Sequence, residues 1–502
     1  MADLETMRTT RRSFLVGAGV AVAAIAAPTA AARRTTTGTL SAAARSYLSR
    51  PDLEPPLLHV TAHNGPSVGR VLLAPFNLAA AVSGTPSESQ FGALIVDDDG
   101  YPLWFRPSKP GLTIIDLRVQ TYRGRRVLTW YEGHVLDSYG GEWVVADTSY
   151  RQIARIKAGN GYRGDLHECL LTSRGTALIT IYSQLKADLT SIGGPVDGKA
   201  VEGIIQEIDV KTAKVLFEWH SLTDVALTET YTPEIGAAGN VDYFHLNSIG
   251  VDHDGHLLVS ARNTCTIYKL DRKTGAVMWR LGGKKSDFTI GPTAVFGYQH
   301  DARRHDDGTI TMFDNAAFAP GPAGSLGPTS RPLRLSLDMA SMTASLVEEF
   351  SVGENRIAFA MGNLQQLPGD SAMIGWGTAG AASEVSNEGL VRWDAHFDPG
   401  TASYRAYRAR WVGRPSVPPD AVVAAGADGS RYVYVSWNGA TEVARWRLST
   451  GRAVDRLTHV RSVKRQGFET AVPLRGARGS VAVIEALDAS GTLLGAAKPL
   501  EL

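Results

Sequence analysis

Counting from turn glycines gathers the residues of this 502-residue chain that could do chemistry. His167 stands eight residues before Gly175, His300 eight before Gly308, and Asn247 eight before Gly255, with His245 two residues earlier. Arg262 follows Gly255 by seven residues, and Asn315 follows Gly308 by seven. An antiparallel hairpin brings such positions back to the same end, and side chains two apart on a strand share a face. One buried histidine is most often structural, but three at equivalent heights beside an arginine and two amides make a candidate site. Arginine offers a planar fork of donors suited to a tetrahedral oxyanion such as sulfate. Amides bond the remaining oxygens without adding charge. A neutral imidazole can act as a nucleophile while a second delivers or removes a proton. The set fits transfer of an anionic group through a histidine adduct. Three histidines equally fit a metal with one open position, and spacing alone leaves both readings open.

The elements that must position these groups read as strands. From about Gly92 to Phe397 the chain repeats an alternating apolar run, an Asp-Gly turn and a second alternating run, as in the segments around Gly100, Gly255 and Gly308. Asp-Gly between period-2 segments signals a hairpin, because glycine accepts the positive φ of such turns. Two hairpins make a four-stranded blade, and about 305 residues at about 40–50 per blade imply six or seven blades, six being preferred. The first strand of a blade lines the central channel, so the candidate residues should converge on the axis. His253, His256 and His305 fall in or beside turns, at the opposite end. Trp104, Trp219, Trp279 and Trp393 recur at strand ends as packing aromatics. After Pro418-Pro419 the strands Tyr432–Trp437 and Ser480–Ile484 suit an Ig- or fibronectin-like sandwich. The expected class is therefore all-β, a six-bladed β-propeller followed by a C-terminal β-sandwich. The expected divisions are 1–32, a linker 33–50, the propeller 51–404 and the sandwich 405–502.

Lys+Arg 51 against Asp+Glu 50 leaves a net charge of +1, which argues against nucleic-acid binding. Two cysteines, Cys169 and Cys265, exclude a disulfide-rich scaffold and a four-Cys metal site. Arg11-Arg12-Ser13-Phe14-Leu15, a mildly apolar run to Pro28 and Ala30-Ala31-Ala32 have the order of a twin-arginine export signal. The mature protein is expected outside the cytoplasmic membrane, delivered by the Tat export machinery. No phosphate-cradling Gly-Lys-Ser/Thr loop occurs, so no nucleotide donor or organic cofactor is implied.

Phe244-His-Leu-Asn-Ser-Ile249, Ser260-Ala-Arg262, Trp279-Arg-Leu-Gly-Gly283 and Tyr298-Gln-His-Asp301 resemble the PAPS-independent bacterial aryl sulfotransferases, over about Pro51 to Phe397. Ser436-Trp-Asn-Gly-Ala-Thr441 and Gly467-Phe-Glu-Thr470 resemble the actinobacterial and fungal branch. The resemblance implies a six-bladed propeller that moves a sulfuryl group from a phenolic sulfate ester to a phenolic acceptor through a sulfohistidine. It casts His300 as the sulfated residue, His245 and His167 as the other active-site histidines, and Arg262 and Asn247 as sulfate ligands. Asn315 joins them as a substrate-binding group, and Thr378 is the counterpart of a family threonine. Cys169 and Cys265 are open to pairing in an oxidising compartment. Two other readings stand beside this one: a metal-dependent lyase or hydrolase on the three histidines, and a non-catalytic secreted propeller that binds partners.

Overall fold

A computed structural model describes residues 46–65, 67–83, 90–135, 140–236, 239–316, 321–322 and 329–502. The signal-like segment 1–32 and most of the linker lie outside the described residues. The chain is all-β. Among the described residues, six largely antiparallel sheets precede two further sheets at the C-terminus. The first sheet holds Arg70–Asn77, Gly92–Val96 and Pro102–Pro107, with Thr401–Ala409 added from far along the chain. The second runs Thr113–Tyr122, Arg125–Gly133, Gly141–Ala146 and Gln152–Ile156. The third runs Cys169–Leu171, Thr176–Ala187, Gly198–Asp209 and Val215–His220, with Asn240–Asp242 parallel to Gly198–Asp209. The fourth is the meander Leu246–Val251, Leu257–Ala261, Thr266–Leu270 and Val277–Gly282. The fifth contains His300–Arg304, Ile310–Asp314, Arg331–Asp338 and Thr343–Glu349. The sixth contains Asn363–Leu367, Ser371–Gly375, Ala381–Ser386 and Val391–Phe397, and Leu58–His63 pairs with its last strand.

These sheets are apolar on both faces because each is packed between two others. Trp104, Ile95, Trp130 and Val144 fill the gap between the first and second sheets. Tyr131, Trp143, Ile179 and Ile204 fill the next, and Leu178, Trp219, Phe244 and Tyr268 the third gap. Leu258, Leu281, Met312 and Leu333 join fourth to fifth, and Phe313, Ile374 and Trp376 join fifth to sixth. Leu73, Phe105, Met373 and Trp393 close sixth back onto first. The inner strands touch in the same cyclic order, with Thr401–Ala409 lying between Asn363–Leu367 and Thr113–Tyr122. Each gap depends on its aromatics; truncating a fully buried one such as Trp393 to Ala costs about 3–5 kcal/mol.

One adjustment to the expected divisions follows. The boundary at 404/405 falls inside Thr401–Ala409, the strand that completes the first sheet. Leu58–His63 and Arg70–Asn77 join the sixth and first sheets respectively.

The C-terminal part packs a three-stranded sheet, Asp420–Ala425, Arg431–Ser436 and Glu469–Pro473, on a second sheet centred on Arg445–Gly451 and Val481–Leu487. Trp446, Leu448, Val433 and Ile484 form its core. The two motifs singled out in this region are its joints to the rest of the molecule. Asn438 Nδ2 donates to the Phe105 carbonyl at 2.9 Å, and its Oδ1 accepts the Phe105 N–H at 2.9 Å. One amide side chain therefore caps the outer strand of the first sheet as a neighbouring strand would. Tyr150 wedges between Gly413 and Gly439, where a Cβ would lie 2.0 and 2.3 Å from its atoms. Glu469 accepts the N–H and hydroxyl of Ser49, and Phe468 packs on Tyr47 at 4.5 Å. The described end of the linker is thus docked on this module. Cys169 and Cys265 are both free and buried. Burial pushes both thiols up, Cys265 to about 12.

Candidate active site

The inner hairpins end where the site begins. His167 lies two residues before Cys169–Leu171, His245 directly precedes Leu246–Val251, and His300 opens His300–Arg304. Arg262 and Asn315 directly follow the second strands of the same hairpins. Regular ladder geometry fails here: His245, Tyr298, Asp301 and Met361 have φ of 56°, 59°, 57° and 69°. Left-handed backbone at non-glycine residues costs about 1–3 kcal/mol each, and packing must hold it. At this end of the hairpins the inner strands exchange backbone pairing for side-chain bonds.

His167 and His245 meet edge to face, ring centroids 5.1 Å apart at 79°. Tyr182 stacks on His167 at 5.1 Å and 12°, and its hydroxyl donates to the Leu246 carbonyl at 2.8 Å. Each of the two histidines has its Nδ1 against a carboxylate oxygen, Asp165 Oδ1 at 2.5 Å and Asp242 Oδ2 at 2.5 Å. Asp165 is fully buried and also accepts the His167 N–H and the Thr180 hydroxyl. A carboxylate at Nδ1 leaves Nε2 as the atom that exchanges protons. Burial lowers the pKa of His245, with Arg262 and His167 adding to that push and Asp242 opposing it.

His300 differs from the other two. Its Nδ1 lies 2.7 Å from Asn315 Oδ1, and the orientation of that amide is settled by its other end. Asn315 Nδ2 donates to the carbonyls of Ala358 at 2.7 Å and Met361 at 3.0 Å. Its oxygen must therefore accept, so His300 carries its proton on Nδ1 and keeps the Nε2 lone pair. The Met361 N–H donates to Nε2 at 3.2 Å. Burial, then the charges of Arg262 and His245, hold the His300 pKa well below the usual histidine value. The result is a neutral imidazole with a fixed tautomer. Asn315 was expected to bind substrate. With both amide hydrogens on carbonyls and its oxygen on His300, it orients the imidazole instead.

Arg262 lies over the Tyr298 ring at 5.1 Å, and its Nη1 donates to Asn263 Oδ1 at 2.7 Å. Burial pushes its pKa down, yet it stays cationic. Asn247 is fully buried, with Nδ2 donating to the Gln299 carbonyl at 2.8 Å, which ties the fourth sheet to the residue before His300. Thr378 sits behind the Met361 segment. Its N–H reaches the Ala360 carbonyl at 3.3 Å, and its buried Oγ1 has no partner among the described residues. No bond links Thr378 to the histidines among the described residues. A cleft of about 1170 Å³ opens at the turn end between the third and fourth sheets, beside Arg174, Arg272 and Arg303. The three histidines do not line it.

Residues 118–398 match the family model described as Arylsulfotransferase (ASST). The chain belongs to the arylsulfotransferase family. Membership supports aryl sulfotransferase activity, with a phenolic sulfate as donor and a phenol as acceptor. All of the residues assembled above, from His167 to Thr378, lie within the matched stretch. No curated protein matches the chain. Among solved structures, a protein of unknown function from Bacteroides caccae aligns at 14% identity and TM-score 0.41, over 68% of this chain and 100% of that one. The virginiamycin B lyase of Staphylococcus aureus aligns at 8% identity and TM-score 0.34, over 76% and 97%. A Lactobacillus plantarum protein aligns at 10% identity and TM-score 0.34, over 80% and 97%. At these levels they carry nothing about chemistry.

Counting from turns did not reach Asp165, Asp242, Tyr182 or Met361. Asp165 and Asp242 stand two and three residues before their histidines, and an Asp so placed is the signal that could have found them. Met361 and Tyr182 carry no such mark, since they reach the site through the sheet order.

Proposed function

We propose that this arylsulfotransferase works by a ping-pong route on a six-bladed propeller, with an Ig-like C-terminal module, and that it acts outside the cell after twin-arginine export. The observation that carries the reading is the unlike treatment of the histidines: His300 faces an amide, whereas His167 and His245 face carboxylates. An amide acceptor holds a proton on Nδ1 without stabilising an imidazolium, which suits a nucleophile. A carboxylate stabilises the imidazolium that forms when a histidine takes up a proton, which suits an acid–base group.

In the first half-reaction His300 Nε2 gives up the hydrogen bond from the Met361 N–H and attacks sulfur with the freed lone pair, and the bond from sulfur to the phenolic oxygen breaks. The departing phenolate takes the Nε2 proton of whichever of His167 and His245 enters the step doubly protonated against its aspartate, and leaves that ring neutral with its remaining proton on Nδ1. Sulfation leaves Nε2 bonded to sulfur and Nδ1 still protonated against Asn315. An acceptor phenol then gives its proton back to the same acid–base histidine as its oxygen attacks sulfur, and the nitrogen–sulfur bond breaks. Arg262 brings positive charge to the non-bridging oxygens. The same charge disfavours a metal cation on the histidines, which sets the lyase reading behind this one.

The test is release of phenolate from a chromogenic phenyl sulfate with and without excess phenol, alongside intact mass of the protein. Acceptor-dependent release and a sulfuryl adduct on His300 are expected. His300→Ala should abolish both while the protein keeps its fold; undiminished turnover in that variant would refute the assignment.

A further inference from the structure

The family match ends at residue 398, but the strand that closes the ring, Thr401–Ala409, comes after it. Its Tyr404 and Arg405 are fully buried. Arg405 crosses the centre of the molecule. Its Nη1 lies 3.2 Å from Asp116 Oδ2 on the second sheet, and its Nη2 lies 3.3 Å from Glu168 Oε2 at the entry to the third. The same Nη2 donates to the Asn247 carbonyl of the fourth sheet at 3.0 Å, and Nε lies 3.4 Å from Asp301 of the fifth. Glu168 directly follows His167 and Asp301 directly follows His300. Tyr404 works beside it: its hydroxyl donates to the same Asn247 carbonyl at 3.2 Å, and its ring meets His167 edge to face at 5.6 Å.

Arg118 and Arg303 join the cluster, each pairing with Glu168, and Arg303 also with Asp301 at 2.6 Å. Three guanidinium groups thus face the three carboxylates of Asp116, Glu168 and Asp301, a balance that makes burial of so much charge tolerable. Burial opposes the charge of Arg405, but Tyr407, Glu168 and Asp116 hold its pKa above the usual value. Burial likewise disfavours ionised Glu168, and Arg118, Arg303 and Arg405 overcome it. Alternative side chains for this cross-link are limited, because only a rigid planar fork reaches several acceptors on different strands at once.

We propose that Tyr404 and Arg405 are positioning residues for sulfuryl transfer: they register His167 and Asn247 against His300, so that closing the ring of sheets and aligning the site are one event. This rests on the transferase reading of the same site. Neither side chain touches the reacting nitrogen. They act by holding the residues that follow His167 and His300 and the backbone of Asn247.

Full-length Tyr404→Phe and Arg405→Lys are compared with the unaltered protein by steady-state transfer, by thermal unfolding and by NMR of the histidine ring nitrogens. Tyr404→Phe keeps the ring against His167 and loses only the bond to Asn247, so it should fold with a Tm lowered by no more than a few degrees. Its kcat should fall about tenfold, and that of Arg405→Lys about 10²-fold, with KM nearly constant, as a displacement near 1 Å implies. His167 ring resonances should shift in both variants. Folded Tyr404→Phe with unaltered kcat and unaltered His167 resonances would overturn the proposal, and it decides alone if Arg405→Lys does not fold. A wild-type protein without transfer activity would defeat the transferase reading, while the NMR comparison would still decide the positioning claim.

Discussion

Asn315→Asp isolates the feature that makes His300 a nucleophile. The substitution keeps size and shape and replaces an amide by a carboxylate 2.7 Å from Nδ1. Two consequences can be worked from the geometry. The bonds from Asn315 Nδ2 to the Ala358 and Met361 carbonyls are lost, and at about 1 kcal/mol each, plus oxygen–oxygen repulsion, stability should fall by about 2–4 kcal/mol. The new charge stabilises an imidazolium whose centre is about 4 Å away, by about 4 kcal/mol at an effective dielectric of about 20. That corresponds to a rise of up to about 3 pH units in the pKa of His300. In the unaltered protein, where burial and then Arg262 hold this pKa well below its usual value, His300 should need no deprotonation near neutrality. In the variant, the pH at which the first-half-reaction burst reaches half its maximal rate should move up by as much as about 3 pH units, so the burst slows first at the acid end of the range and recovers as pH rises. Rapid-quench measurement of phenolate release from a chromogenic phenyl sulfate, from pH 5.5 to about 9, reads both effects. A folded variant whose burst has the same pH profile as the wild type, or one that slows without recovering at high pH, would refute the argument that Asn315 sets the charge state of the nucleophile.

Arg262→Lys keeps the charge but loses the fork that bonds Asn263 and lies over Tyr298; kcat should drop about 10²-fold, and stopped-flow turnover within threefold of wild type would contradict it. Burial works against protonation of His220, yet Glu202 and Glu218, each 3.0 Å from a ring nitrogen, raise its pKa. A raised folded pKa contributes stability fully below about pH 6.5, the unfolded value, and loses it as pH climbs through the folded value. Urea midpoints of His220→Gln and the unaltered protein should therefore converge on going from pH 5.5 to alkaline pH, and a constant gap would count against this pairing. Asn438→Leu leaves the Phe105 N–H and carbonyl without their partner, at a cost of about 2–5 kcal/mol. Calorimetry should show the C-terminal module unfolding ahead of the sheet ring, whereas a single unshifted transition would mean that this joint contributes nothing.

The sequence by itself determined the strand-turn rhythm, because an Asp-Gly turn and a period-2 run are local properties that a strand reads directly. For the same reason, counting from Gly175, Gly255 and Gly308 put His167, Asn247, Arg262, His300 and Asn315 at one end of their hairpins. What each residue does there was not local. Asn315 looks like a ligand for substrate until its amide is seen to be spent on Ala358 and Met361, which belong to a segment more than forty residues away. The boundary at 404/405 followed a change in composition, but strand pairing carries Thr401–Ala409 back to Arg70–Asn77. Asn438 and Phe468 were legible as motifs and not as joints, since their partners Phe105 and Tyr47 lie hundreds of residues upstream. Only tertiary structure decided these points. Ring closure pairs strands more than three hundred residues apart, and no periodicity in the sequence encodes which side chain will cross the axis once the ring has closed.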